Sequence, residues 1–153
     1  MSNVKPNLLK GLLAGIAAGL VATAAKAVAE KFYPPHTHGE PEPHAVLAEK
    51  LGGKHLSPAS KAVAAETIHW GFGALAGGAY GMLAEVYPSA TARNGAQFGV
   101  VLGTLTQESA LPRLGLAAEP EDQELREQSS EMISHVVYGV VTETVRSLVR
   151  RTL

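Results

Sequence analysis

The sequence predicts an all-α chain folded as a four-helix transmembrane bundle, up-down-up-down, with Gly-zipper packing. Three observations predict it. Four apolar stretches, 11–25, 67–84, 94–107 and 132–142, carry no Lys, Arg, Asp or Glu. The first three each hold three glycines at steps of four: Gly11, Gly15 and Gly19; Gly73, Gly77 and Gly81; Gly95, Gly99 and Gly103. Proline-bearing polar segments separate them. Steps of four put small residues on one helix face, where a second helix approaches backbone to backbone. Five glycines between Gly71 and Gly81 weaken a helix in water by about 1 kcal/mol each relative to Ala. A bilayer leaves the backbone no other hydrogen-bond partner and so supplies the compensation.

A chain of 153 residues implies a single domain, 1–153. Mean hydropathy is only +0.07, because much of the apolar content is alanine and glycine. The uncharged cores are shorter than the ~20 residues of a full span, so each helix must take in ionisable residues near an end. A soluble bundle is the competing reading. Net charge of −1 gives no reason to expect a nucleic-acid partner, which favours a surplus of cations. The chain has no cysteine, hence no disulfide or thiolate chemistry.

Helix 1 is expected over 7–32. Its lysines, apolar stretch and small residues resemble a signal peptide, but Lys26 and Glu30 continue the helical pattern, which reads as a retained first helix. Pro34 and Pro35 stop it. The connection 33–56 is rich in His and Pro, with His36, His38, His44 and His55 and a short amphipathic piece from Pro43 to Leu51. HTHGEPEPH contains metal-compatible side chains without strong ligand spacing. Helix 2 is expected over 57–87, with Ser57 as cap, Pro58 in the first turn and Pro88 as stop. Helix 3 is expected over 92–111, ended by Pro112 and Gly115. An acidic, solvated segment leads to helix 4, expected over 123–151, whose terminal arginines complement the helix dipole.

An up-down-up-down arrangement brings one set of ionisable residues to a common level: Lys26, Glu30, Glu66, His69, Glu108, Glu131 and His135. Glu66 and His69 are three apart and Glu131 and His135 four apart, so each pair shares a helix face. The set is compatible with a hydrogen-bonded polar core, with proton or ion handling, or with a metal site. For a metal, the weak candidates are Glu66, His69, Glu131 and His135, but the second pair departs by one residue from the Glu-x-x-His spacing of di-metal bundles, and the expectation is no metal and no cofactor. Glu85, Glu143 and Arg146 fall at the opposite level, where a structural salt bridge is expected. No nucleophile elbow, P-loop, dinucleotide fingerprint or zinc-hydrolase motif occurs, so no catalytic residue is assigned and the chain is expected not to be an enzyme.

Several motifs resemble the YagU-like family of bacterial inner-membrane proteins. His69, Phe72, Tyr80 and Ala84-Glu85-Val86-Tyr87-Pro88 carry the likeness in helix 2. Lys26, Glu30, Pro34 and Pro35 carry it in helix 1, and Pro112, Gly115 and Leu116 after helix 3. Ser130-Glu131, His135, Tyr138, Glu143 and Arg146 carry it in helix 4. Glu66 does not match, and Gln107 stands where that family has a His. The resemblance implies a four-helix inner-membrane protein of unassigned activity, associated with stress or acid tolerance. The functional expectation is proton or ion handling, or a pH response, through the buried Glu/His cluster. The alternatives are a structural or accessory membrane subunit and a metal-binding bundle. The expected partners are the lipid bilayer and a second copy or another membrane protein, because three glycine faces exceed what one internal seam needs. Multi-pass location in the bacterial inner membrane is expected, with Lys5, Lys10, Arg93, Arg146, Arg150 and Arg151 marking a cytoplasmic side that holds both termini.

Overall fold

A computed structural model describes residues 6–153, and Lys5 lies outside them. Among the described residues the fold is all-helical, without strands. α1 (Leu8–Phe32) starts at Asn7, whose side chain accepts from the Lys10 amide at 3.0 Å. It ends at Tyr33, before Pro34 and Pro35. α2 (Pro43–Gly52) is a short helix inside the first connection, starting on a proline. α3 (Pro58–Val86) is capped by Ser57, which accepts from the Ser60 amide at 3.2 Å.

The third predicted helix is more broken than expected. Residues Pro88–Gly95 form tight turns, and Arg93, Asn94 and Gly95 all have positive φ. α4 (Ala96–Leu105) follows and widens into a π turn over Thr106–Ala110 before the single turn of α5 (Leu111–Arg113). Thr106 Oγ1 donates to the Leu102 carbonyl at 2.7 Å just where the ladder changes register. α6 (Leu125–Thr152) is continuous to the last residues.

α1 packs against both α3 and α6, and α4 packs against α6. The pairs run antiparallel. Gly11, Gly15 and Gly19 of α1 meet Gly81, Gly77 and Gly73 of α3 in reverse order. A methyl group on Gly77 would lie 2.6 Å from the Gly19 Cα, so only glycine permits this approach. The α4–α6 seam is built differently: Gly95, Gly99 and Gly103 lie against Glu143, Gly139 and His135. α3 and α4 do not close backbone to backbone. Aromatic rings bridge them: Tyr80 stacks on Phe98 at 4.2 Å, and Phe98 meets Tyr138 at 6.2 Å. Glycine faces on three helices suggested a spare surface for a partner. All three are consumed by these two seams.

The distribution of side chains is inverted relative to a water-soluble domain. The largest fully buried side chains are Tyr80, Thr142, Ser130 and Ser134. Among the described residues Leu116 is the single leucine in the core, which otherwise holds alanine and tyrosine, while Leu9, Leu13, Phe72, Leu75, Leu105 and Ile133 are all exposed. α1 is the one helix among the described residues that is both long and apolar enough to cross a membrane. The expectation of four such helices is not met by hydropathy. α4 has only 10 residues, and α6 carries Glu127, Glu131, Glu143 and Arg146, all buried inside the fold.

Candidate functional site

Two polar levels lie at opposite ends of the interior, with Tyr80, Phe98 and Tyr138 between them. Tyr138 donates to the Gly73 carbonyl at 2.6 Å and ties α6 to α3 across the bundle.

The closed level contains Glu85, Glu143 and Arg146, as the sequence placed them, together with Arg150. Arg146 grips Glu143 with two bonds, 2.7 and 2.8 Å, and Tyr80 donates to the same carboxylate at 2.8 Å. Arg150 grips Glu85 at 2.6 and 3.1 Å, and the Asn7 amide adds a third donor at 2.8 Å. Each carboxylate faces a planar guanidinium with matched geometry.

The open level contains Lys26, Glu30, Glu131 and His135. Lys26 is paired with Glu30 one turn along α1 and lies 3.9 Å from Glu131. Gln107 donates to Glu131 at 2.9 Å. The π turn explains why Gln107 does so and Glu108 does not. Widening the turn shifts the register, Gln107 faces inward, and Glu108 is exposed. Expected membership of Glu108 in the cluster is thereby corrected.

Glu66 is corrected likewise. It is exposed and accepts from Trp70 Nε1 at 3.1 Å. The close α1–α3 seam ends at Gly19 and Gly73. Beyond it Glu66 lines an outer cleft with Glu30 and His36. His69 sits between the clefts, its ring 4.7 Å from His44. The expectation that His69 and His135 share an acid becomes a looser relation: His135 has Glu131 as neighbour, at 3.7 Å, and both histidines line one cavity. Among the described residues no three His, Asp or Glu side chains are grouped to hold a metal ion. The four weak metal candidates divide between two surroundings.

That cavity has a volume of about 320 Å³, at the small end of the ~300–1,000 Å³ of small-molecule sites. It lies where α3 and α4 stay apart. Leu47, Ile68, Phe72, Leu102, Leu111 and Leu114 form its apolar walls, and Lys26, Glu30, Gln107, Glu131 and His135 form its polar end.

The first connection folds over this end as a strap, which sequence reasoning missed. Ser130 Oγ donates to the Tyr33 carbonyl, Arg126 donates to that of Pro34 at 3.2 Å, and Thr37 donates to Glu127 at 2.6 Å. His36 Nδ1 lies 3.2 Å from Glu42, and its Nε2 lies 4.0 Å from Glu131. The Nδ1 contact is not aligned as a hydrogen bond, so it is a charge contact. The adjacent Glu42 carboxylate raises the His36 pKa against the opposing effect of burial, and His36 in turn lowers that of Glu42. His44, half buried beside His69, is shifted down, chiefly by desolvation. The one sequence signal for the strap was the density of histidine and proline in 33–56.

The model of a family described as a protein of unknown function, DUF1440, matches residues 20–144, and the chain belongs to that family. No curated protein and no solved structure matches it.

Proposed function

We propose that this member of the DUF1440 family is a multi-pass protein of the bacterial inner membrane that takes up protons, or answers to pH, through the open polar level. Four passages are assigned: α1, α3, α4 continued through α5, and α6. The finer likeness to YagU-like proteins and their association with acid tolerance belong to the same proposal. Inverted packing supports the membrane reading. Lipid is as apolar as leucine, so association between helices in a bilayer rests on small-residue contact and polar bonds, with Leu, Val and Phe turned outward. Both features are present, and in this setting the two glycine seams act as zippers. Basic residues at the α1 start and the α6 end favour a cytoplasmic placement of the termini. Carbonate washing is expected to leave the protein in the membrane pellet; recovery as a folded, detergent-free soluble species overturns this reading.

The row His36, Glu131, His135 carries the proton reading. It leads from the strap to the buried end of the cavity in steps of 4.0 and 3.7 Å. Ionisable residues inside a membrane are costly and mark relays or sensors by default, and histidine changes charge in the physiological range. The proposal assigns no covalent chemistry to the chain. The test replaces His69 and His135 together by Gln, which keeps hydrogen bonding and cannot carry a proton. Loss of proton flux in liposomes, or of acid tolerance in cells, with the fold retained, is the expected outcome. Full retention of both leaves the histidines as a static lock between helices.

A further inference from the structure

We propose that the cavity between α3 and α4 is a binding site for a lipophilic primary ammonium: an apolar body with one cationic, hydrogen-donating head. The proposal rests on the membrane reading above and adds a ligand to it.

The site is built at its polar end around an unpartnered side chain. His135 is only 5% exposed. Its Nδ1 lies 2.8 Å from the Glu131 carbonyl oxygen, which can only accept, so Nδ1 carries the proton. The neutral ring then holds a bare lone pair on Nε2. No described residue donates to Nε2, and the ring lines the cavity. Two further acceptors converge on the same end. Glu30 pairs with Lys26 through Oε1 alone, which leaves Oε2 free among the described residues. Gln107 uses its amide nitrogen on Glu131, which leaves its oxygen. Among the described residues Lys26 Nζ beside them keeps two of its three N–H donors unfilled, so the unfilled acceptors, on His135, Glu30 and Gln107, outnumber the unfilled donors of that lysine.

Charge selects among donors. Glu42 is matched by His36 from outside the lining, which leaves Lys26 against Glu30 and Glu131, so the surplus is anionic. An anion is repelled, and an alcohol donates once without relieving the surplus. An ammonium donates up to three bonds and neutralises charge in surroundings of low dielectric constant. The walls are aliphatic and aromatic, and two of the wall residues, Phe72 and Leu114, are exposed at the surface. The apolar part of the ligand can extend towards lipid from there.

Octylamine is the probe, with octanol and octanoate as matched controls. The full-length protein is placed in phosphatidylcholine nanodiscs, and equilibrium dialysis is run against empty nanodiscs. Saturable octylamine uptake, one per chain, is expected, with octanol and octanoate about tenfold weaker because they lack the charge-assisted bonds. Two variants probe opposite ends of the site: Glu30→Gln removes charge at the head, and Leu102→Trp fills the wall. Each should weaken octylamine binding about tenfold, with helicity unchanged by circular dichroism. Adding phosphatidylethanolamine separates two sources of the same head: displacement of octylamine identifies the bilayer lipid, and unchanged uptake identifies a free amine. Equal uptake of octanoate, or uptake unchanged in both variants, overturns the proposal. So does no excess over empty nanodiscs for a protein that remains inserted. Failure to insert at all instead overturns the membrane reading.

Discussion

The two polar levels use the same residue types to opposite ends. At the closed level, Glu143 and Glu85 each meet an arginine side-on through two bonds, and Tyr80 and the Asn7 amide complete the set. None of these groups lines the cavity between α3 and α4. At the open level one lysine faces several carboxylates, the ionic contacts to Glu131 lengthen to 3.7–4.0 Å, and about 320 Å³ of space lies beside them. Arginine makes the difference at the closed level. Its planar fork satisfies both carboxylate oxygens at once, whereas lysine is a point charge that leaves acceptors over. Matched groups hold helices in register, and leftover groups are free to bind or to titrate.

The largest effect is expected from breaking the closed level. Arg146→Ala strands Glu143 in the interior, with Tyr80 as its remaining described partner. Loss of one partner of a buried pair costs about 3–5 kcal/mol, read as a lower unfolding midpoint in mixed-micelle denaturation. Glu131→Gln at the open level keeps the Gln107 contact and is expected to shift that midpoint far less. Comparable shifts would erase the distinction between the levels.

Next in size is the seam that joins them. In Gly77→Val the new side chain meets the Gly19 backbone at 2.6–2.8 Å, and backbone cannot turn aside, so about 1–3 kcal/mol or more is lost. Gly71 has nothing within 4 Å of its added Cβ. Gly71→Ala is therefore expected to stabilise the helix by up to about 1 kcal/mol. If both changes act alike, the packing described for α1 and α3 is not what holds them.

A smaller effect concerns pH at the strap over the open level. The folded-state pKa of His36 is raised above its ordinary 6.5, so its contribution is complete below 6.5 and is lost as pH rises through the folded value. That of Glu42 is lowered below 4.5, so its contribution is present above 4.5 and is lost as pH falls through the folded value. The strap is therefore held most firmly between about pH 4.5 and 6.5. Amide exchange in residues 33–42 should be slowest there, relative to the intrinsic rate at each pH, and His36→Ala should abolish the minimum. The closed level, without histidine, should show no such minimum.

The smallest effect is expected at Glu108. It is exposed, so Glu108→Ala should change stability by no more than about 0.5 kcal/mol, whereas Gln107→Ala removes the 2.9 Å bond to Glu131. The reverse order would place Glu108, not Gln107, at the interior.

Local spacing carried a large part of this protein. Asn7, Ser57 and the prolines at 34, 58 and 88 bound α1 and α3 because capping and ring constraints act within a few residues. The steps of four in Gly11, Gly15 and Gly19 and in Gly73, Gly77 and Gly81 belong to a periodic helix face, so both sides of that seam were legible before folding. Lys26, Glu30, Glu131 and His135 could be brought to one level by counting along antiparallel helices. Other features depend on which face meets which neighbour. α6 presents a single glycine, Gly139, flanked along the seam by His135 and Glu143, so no repeat announced it as the partner of Gly95, Gly99 and Gly103. The π turn at Thr106–Ala110 exchanges Gln107 for Glu108 by a shift of register that spacing does not encode. The placement of His36 over Glu131, and the space left where aromatic rings rather than glycines separate α3 from α4, arise only when distant segments pack. Periodicity determines what a helix can present, and the tertiary structure decides what each face meets.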